Sequence, residues 1–154
     1  AALRTAYEAI TGQKLEKLEF MDVRGLEGVK EASYNLNGLE VKVAVAHSTG
    51  AAARLLDSVR SGEKSYTFIE VMGCPGGCVN GGGQPIVSPT EREKHDPKVL
   101  RAKAIYAEDA AKPVRKSHEN PSIMKLYEEY FEKPNSHKAH ELLHTHYTAR
   151  PKYK

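Results

Sequence analysis

The two cysteines of this 154-residue chain, Cys74 and Cys78, lie in one short segment with the sequence VMGCPGGCVNGGGQP. Thiolates are soft ligands that suit zinc, copper and iron-sulfur clusters. The C-x3-C spacing is wider than that of zinc ribbons, and no second cysteine pair or suitably spaced histidine accompanies it. The spacing therefore favours an inorganic cofactor other than zinc. A glycine-rich turn with two inert buried thiols would have the same composition.

The glycines around these cysteines indicate a backbone that bends closely around a bulky group. Gly76 and Gly77 lie between the thiols, and Gly81, Gly82 and Gly83 follow them. Glycine adopts positive φ angles and leaves no side chain in the way of a bound ligand. Bare backbone amides also donate hydrogen bonds to sulfides and other anions, which tunes the potential of a cluster. We therefore expect these glycines to line a cofactor site.

The segment from Val71 to Pro85 closely resembles the third cluster-binding motif of the iron-only (di-iron) hydrogenases. A second stretch, RKSHENPSIMKLYEEYFEKPNSHKAHELLHTHY, is similar to the small-subunit segment of the same family. In that family the segment is either a separate chain or is fused behind the large domain. The two matches follow the family's order, so the resemblance covers essentially the whole chain.

The resemblance implies an H-cluster, in which a 4Fe-4S cubane is joined through one cysteine thiolate to a di-iron subcluster with carbon monoxide, cyanide and dithiolate ligands. By position in the motif, Cys74 resembles the ligand of the cubane alone. Cys78 resembles the cysteine that bridges the cubane and the di-iron centre, and Met72 matches a methionine that packs beside that centre. The implied reaction is the reversible interconversion of dihydrogen with protons and electrons, in which the protein supplies ligation and a dry pocket.

The chain contains only half of the thiolate ligands that the resemblance implies. The family's cluster takes four protein thiolates, whereas this sequence has two cysteines. The other two, a proton-relay cysteine and a lysine that holds cyanide belong to upstream motifs of the family. We therefore expect the remainder of the catalytic subunit, with further iron-sulfur clusters, to lie upstream or in a paired chain. The expected redox partners are ferredoxin or NAD(P)H-linked diaphorase subunits.

Two other kinds of hydrogenase-like protein remain as alternatives. Cytosolic iron-sulfur assembly factors and their nuclear relatives keep a similar cysteine-glycine motif without making hydrogen. Sensory members bind the cofactor but turn over slowly. The ending LLHTHY follows the hydrogenase pattern and favours the enzyme over the assembly factors.

The charge and hydropathy of the chain exclude several kinds of partner. The formal charge of +3 arises from 23 basic and 20 acidic residues that are interspersed, so we expect no nucleic-acid partner. No apolar run approaches the roughly 18 residues that cross a bilayer, so we expect no membrane insertion. We expect a cytoplasmic location.

The elements that must position the cysteines form a hairpin and a βαβ unit. The Asn37-Gly38 turn predicts a hairpin, and the strand-helix-strand pattern that follows predicts two parallel strands. The cysteine segment then begins at the carboxyl edge of the sheet, where ligands collect in α/β folds. The predicted elements are a helix over 1–11, a strand over 18–23, hairpin strands over 31–36 and 39–46, a helix over 50–61 and a strand over 66–72.

The sequence beyond Pro85 predicts a polar linker over 86–97 and then three helices. The helices begin at Asp96-Pro97, at Asn120-Pro121 and at Ser136. The predicted fold class is α/β, the C-terminal half-lobe of a larger cluster-binding domain over 1–92, followed by a helical small-subunit-like segment over 93–154.

The last predicted helix carries His137, His140 and His144 at helical spacing, which admits a zinc site. Its apolar residues lie on the opposite face, so surface or interface hydrogen bonds are the interpretation that we favour.

Overall fold

The structure is a computed structural model that describes residues 2–16, 19–20, 24 and 28–151. The chain divides into two compact units, of which the first comprises residues 2–113 and the second begins at Val114. The first unit contains α1 (Ala2–Thr11), β1 (Val29–Leu36), β2 (Leu39–His47), α2 (Thr49–Arg60), β3 (Phe68–Met72), α3 (Pro89–Lys94) and α4 (Pro97–Ala111).

The strands β1 and β2 form the predicted hairpin. They pair antiparallel, with Leu36 opposite Leu39. The two turn residues, Asn37 and Gly38, have φ angles of 54° and 90°. Two positive φ angles are the signature of a type I′ turn, whose twist matches that of the flanking strands. The turn predicted from the Asn-Gly dipeptide is confirmed.

The elements β2, α2 and β3 form the predicted βαβ unit. β2 is the central strand of a three-stranded sheet, and it runs parallel to β3 with His47 opposite Met72. The connecting helix begins at Ser48, whose hydroxyl accepts a hydrogen bond from the Ala51 amide at 3.2 Å. It ends before Gly62, which has a φ of 78°. Parallel pairing therefore brings the carboxyl ends of β2 and β3 side by side.

The core of the first unit lies on both faces of β2, which is buried from Val43 to His47 as its apolar sequence predicted. One face packs against α2 through small residues and one leucine: Ala44, Ala46, Ala51, Ala52 and Leu55. On the other face, Leu36, Val41 and Val43 pack against Leu3 and Tyr7 of α1. Because close-packed interiors hold their shape, the end of β2 is a rigid support for the loop beside it.

The helix α1 ends where the sequence predicted. Gly12 has a φ of 66° and its amide donates to the Glu8 carbonyl at 2.9 Å, which caps the last turn. The strand predicted over 18–23 lies largely outside the described residues. The two described positions within it, Glu19 and Phe20, have no regular secondary structure.

The linker predicted over 86–97 contains a short helix, α3, which the sequence analysis missed. The Ser88 hydroxyl accepts a hydrogen bond from the Glu91 amide at 3.3 Å, and Pro89 occupies the first helical position. Proline begins a helix readily at this position, because its missing N–H has no partner there in any case. The serine-proline pair was thus a start signal rather than a break.

The three predicted helix starts are confirmed. Asp96 caps α4, and the second unit contains α5 (Pro121–Leu126) and α6 (His137–Leu143), capped by Asn120 and Ser136. A π-helical turn follows α5 over Tyr127–Phe131. None of the helices in the described part of the chain combines the length and apolar character that crossing a bilayer requires.

Candidate metal centre

The two cysteines lie in the cysteine loop, residues 73–85, which directly follows β3. Cys74 is half-buried and Cys78 is exposed, and neither thiol is in a disulfide. The loop begins at the edge where β2 and β3 end together, with His47 opposite Met72. Free thiols beside a rigid sheet edge are available as ligands to a metal.

A single tight turn joins the two cysteines. The Gly77 amide donates to the Cys74 carbonyl at 2.9 Å, and Gly76 has a φ of 80°. With Pro75 before it, this geometry is typical of a type II turn, which needs glycine at its third position. Gly77 itself has a φ of 84° and a ψ of −170°, a region that is essentially limited to glycine. Two of the predicted glycines are therefore required by the backbone.

The residues after Cys78 continue the loop as a short 3-10 turn, Cys78–Asn80. Asn80 closes this turn back onto the first one: its amide donates to the Gly77 carbonyl and its side chain to the Pro75 carbonyl, each at 3.0 Å. The two consecutive turns thus fix the backbone that carries both thiols.

The residues beneath Gly77 leave no room for a side chain there. A Cβ at this position would lie 2.8 Å from Sδ of Met72 and 3.6 Å from Nε2 of His47. His47 is only 5% exposed, and its Nδ1 is buried without a hydrogen-bond partner among the described residues. Free thiols, a turn stripped of side chains and an unpartnered buried nitrogen are together what a site shaped for a bound group requires.

The later glycines of the loop differ from the first two. Gly81 has a φ of −70°, which other residues adopt, although a Cβ there would lie 3.2 Å from the Cys78 carbonyl oxygen and 3.9 Å from Sγ of Cys74. A Cβ at Gly82 would meet nothing within 4 Å. The described contacts therefore give Gly81 a steric role beside both cysteines and give Gly82 none.

Several backbone amides of the loop are already used within it. The amides of Gly77, Asn80, Gly81 and Gln84 donate to carbonyl oxygens of the loop at 2.9 to 3.1 Å. These four are therefore committed to the loop's own structure rather than to a bound anion. Amide donation toward a cluster, which the sequence predicted, would therefore have to come from the other residues of the loop.

Arg101 of α4 contacts the loop from outside. Its Nη1 donates to the Val79 carbonyl at 3.1 Å and its Nη2 to the Pro85 carbonyl at 2.7 Å. A cleft of about 510 Å³ adjoins this contact, and its lining includes Asn80, Gln84, Arg92, Asp96, Lys98 and Arg101. Neither cysteine lines it.

Sequence reasoning missed both His47 and Arg101. A signal for His47 was present, because it ends the buried strand that runs parallel to β3 and so shares an edge with the cysteine loop. Arg101 carried no signal, since it lies 16 residues beyond its partner Pro85 in a polar helix.

The histidines of the second unit do not form the three-ligand site that the zinc interpretation requires. The Nδ1 atoms of His140 and His144 lie 2.7 Å apart in a mutual hydrogen bond. The helix α6 ends at Leu143, before His144, so the helical face that the spacing predicted does not continue. His137 joins no three-ligand group in the part of the chain that the structure describes.

The two parts of the chain match two families of hydrogenase sequences. Residues 1–82 match the iron only hydrogenase large subunit, C-terminal domain, and residues 95–150 match the iron hydrogenase small subunit. The chain belongs to the iron-only (FeFe) hydrogenase family.

Individual relatives support the same assignment. The chain is 51% identical over 152 residues to the NADP-reducing hydrogenase subunit HndD of Solidesulfovibrio fructosivorans, and 46% identical over 147 residues to iron hydrogenase 1 of Clostridium pasteurianum. These alignments cover 97% and 96% of this chain but 25% and 26% of the relatives. The chain thus spans about a quarter of their length.

More distant and structural relatives complete the comparison. An apo FeFe-hydrogenase HydA1 variant from Chlamydomonas reinhardtii has a TM-score of 0.74 at 38% identity, and the match covers 97% of this chain and 43% of that one. The predicted α/β fold class is confirmed by this likeness. Protein NAR1 of Arabidopsis thaliana is 31% identical over 146 residues, which cover 94% of this chain and 30% of NAR1.

Proposed function

We propose that this chain is the C-terminal part of the catalytic subunit of an iron-only hydrogenase, which interconverts dihydrogen with protons and electrons. One observation carries the proposal: Cys74 and Cys78 lie on a glycine-dependent turn at the carboxyl edge of the sheet, with free thiols. The 51% identity to a hydrogenase subunit supports the same reading of these thiols.

In this proposal Cys74 holds the 4Fe-4S cubane and Cys78 holds both the cubane and the di-iron subcluster. When bound, the H-cluster supplies the redox and hydrogen-binding chemistry. The chain's own contribution is to bind and to orient, because the two turns fix the positions of the thiolates. Met72 and the buried end of β2 exclude water from beneath the turn, since His47 is only 5% exposed. In this proposal Gly76 and Gly77 give the turn its backbone conformation and Gly81 leaves space beside Sγ of Cys74, whereas Gly82 is assigned no contact with the bound group.

The remaining ligands and the electron partners come from outside this chain. We propose that the rest of the catalytic subunit supplies two further thiolates, the proton-relay cysteine and the cyanide-holding lysine. We propose electron exchange with NAD(P)-linked partner subunits or with ferredoxin. The name of the relative HndD, an NADP-reducing hydrogenase subunit, supports the first. A cytoplasmic location accompanies this proposal, because that compartment keeps thiols reduced.

The domain boundary predicted between residues 92 and 93 remains part of the proposal. It falls between the two family matches, which end at residue 82 and begin at residue 95. The compact units divide elsewhere, at Val114, because α4 belongs to the first unit by its contacts.

A non-catalytic, hydrogenase-like iron-sulfur protein is the second candidate. The 31% identity to Protein NAR1, which extends over 94% of this chain, favours it. The hydrogenase candidate has stronger support, because its relatives reach 51% identity over a similar extent. A purified protein that carries the cubane but lacks bound carbon monoxide and cyanide would support the second candidate instead.

The test of the proposal is the replacement of each cysteine in the assembled protein, that is, this chain together with the rest of its catalytic subunit. We expect Cys78→Ser to abolish the infrared bands of carbon monoxide and cyanide, since the di-iron subcluster loses its tether. We expect Cys74→Ser to lower the iron content of the protein, because the cubane loses a ligand. Gly82→Ala serves as the control in the same loop and keeps both signals. Unchanged bands in Cys78→Ser would contradict the assignment of this residue.

A further inference from the structure

We propose that Arg101 is a positioning residue for the cysteine loop. Its guanidinium closes the glycine-rich half of the loop and places a positive charge beside the residue that follows Cys78. The inference rests on the proposed function for its effect on the cluster, but not for its effect on the loop itself.

The contacts of Arg101 bracket the part of the loop that has the least side-chain packing. Its two hydrogen bonds, of 3.1 Å and 2.7 Å, reach the carbonyls of Val79 and Pro85. Between these residues lie three glycines, of which Gly82 and Gly83 would have no neighbour within 4 Å even with a Cβ. Ordering glycine costs more conformational entropy than ordering any other residue. The contact of Arg101 joins the two ends of this segment. It offsets part of the entropy cost, because little side-chain packing is available to do so.

The chemistry of the contact suits arginine specifically. The planar guanidinium presents donors in a fixed fork, so one side chain can satisfy two carbonyls in set directions. Lysine has a compact ammonium on a flexible stem and does not fix two acceptors in the same way. The hydrogen bond to Val79 is also partly buried, which strengthens it relative to one in bulk water.

The helix that carries Arg101 is capped at its start and is joined to α1 near its end. At its start the Asp96 side chain accepts from the Lys98 amide at 2.9 Å. Near its end Asp109 accepts two hydrogen bonds of 2.8 Å from Arg4 of α1. The guanidinium therefore projects from a fixed element, which is what a positioning residue requires.

The contact of Arg101 joins the two parts of the chain that match different hydrogenase families. Val79 lies in the part that matches the large subunit, residues 1–82, and Arg101 lies in the part that matches the small subunit, residues 95–150. The small-subunit segment thus reaches the residue next to a proposed cluster ligand. A cation at this position favours the more negative, reduced state of a cluster, because net charge and hydrogen bonding set cluster potentials.

The experiment compares Arg101→Gln, Arg101→Lys and Arg92→Gln in the assembled protein. Arg92 is the matched control: it lines the same cleft, and its Nε donates to Val87, beyond the cysteine loop, at 3.1 Å. Hydrogen exchange in the cluster-free protein reports on the loop amides of Asn80, Gly81 and Gln84. Redox titration of the loaded protein reports on the cubane.

We expect the loop amides to exchange at least about tenfold faster in Arg101→Gln. Loss of a charge-assisted hydrogen bond should raise the equilibrium constant for opening of the loop by about that factor. Arg101→Lys should accelerate exchange less, and Arg92→Gln should leave it unchanged. The cubane potential should become more negative in Arg101→Gln and stay closer to the parent value in Arg101→Lys, which keeps the charge.

The outcomes separate this inference from the proposed function. Unchanged exchange of the loop amides in Arg101→Gln overturns the inference, whatever the metal content. Equal shifts of the potential in Arg101→Gln and Arg92→Gln also overturn it, because the effect would then be one of general charge. The parent protein could lack the carbon monoxide and cyanide bands while Arg101→Gln still exchanges its loop amides faster. That result would contradict the proposed function and support the role of Arg101 in the loop. If Arg101→Gln does not fold, Arg101→Lys is the test. Loop amides that exchange faster than in the parent protein support the inference, and unchanged exchange overturns it.

Discussion

Gly77 is the residue of the cysteine loop whose backbone and surroundings both demand glycine. Its φ of 84° and ψ of −170° are disfavoured for other residues, and a Cβ would lie 2.8 Å from Sδ of Met72. We expect Gly77→Ala to lower the free energy of unfolding by about 1–3 kcal/mol, the usual cost of such a backbone conformation. Denaturant unfolding of the assembled protein measures this loss.

Gly82→Ala is the matched control for that substitution, because its Cβ would meet no atom within 4 Å. We expect it to change the free energy of unfolding by less than about 0.5 kcal/mol. Equal losses at the two positions would show that the turn between the cysteines is not the constrained part of the loop.

Glu31 gives the stability of the first unit a small dependence on pH. It accepts hydrogen bonds from Lys64, at 2.8 and 3.1 Å, and from the Tyr66 hydroxyl. These hydrogen bonds, that of Lys64 foremost, lower the pKa of Glu31 below its ordinary value of 4.5. A carboxylate with a lowered pKa stabilises the fold above its unfolded-state pKa, and the contribution is lost as the pH falls through the folded-state pKa.

We therefore expect Glu31→Gln to lower the thermal unfolding midpoint slightly at pH 7, since the ion pair is largely exposed. The difference from the parent protein should shrink as the pH falls below 4.5, because the parent carboxyl is then protonated too. Thermal unfolding across this pH range measures the effect. A difference that stays constant down to the lowest pH would contradict the assigned cause.

At the scale of elements, α4 is held mainly by polar contacts, since the structure gives it no buried residue. Arg4 donates two hydrogen bonds of 2.8 Å to Asp109, and Arg24 stacks 4.5 Å from the ring centre of Tyr106. Loss of the Asp109 charge would weaken both hydrogen bonds to the largely buried Arg4 guanidinium.

We expect Asp109→Asn to reduce the free energy of unfolding by about 1–3 kcal/mol, as for other hydrogen bonds to charged groups. Glu108→Gln, one residue earlier, removes an exposed carboxylate whose ion pair among the described residues is with Lys112, so its effect should be minor. Both are measured by denaturant unfolding. A larger loss at Glu108 than at Asp109 would show that α4 is not anchored through Arg4.

The elements that the sequence predicted are those whose signals are local. The Asn37-Gly38 turn and the caps at Asp96, Asn120 and Ser136 each depend on a few neighbouring residues, and all are confirmed. The site contacts of His47 and Arg101 depend on packing between distant segments, which composition and spacing do not encode. His47 could have been predicted only from the parallel pairing of β2 and β3, which places it opposite Met72.

At the scale of the whole molecule, our proposal makes the chain a portion of a larger catalytic subunit. It spans about a quarter of the relatives' length, and the family's cluster is expected to need two thiolates beyond Cys74 and Cys78. Large apolar side chains are exposed in both units, including Val99, Leu100 and Ile105 in the first and Met124, Leu142 and Leu143 in the second. We expect the rest of the catalytic subunit to cover some of these side chains, because removal of apolar area from water favours association.

The order of residues along the chain gives the contact of Arg101 a consequence for biosynthesis. The ribosome completes the cysteine loop at Pro85 and makes Arg101 only 16 residues later. The cysteine loop, with its thiols and glycines, therefore leaves the ribosome before Arg101 does. If Arg101 closes the segment around Cys78 as we propose, we expect this closure only after Arg101 has also left the ribosome.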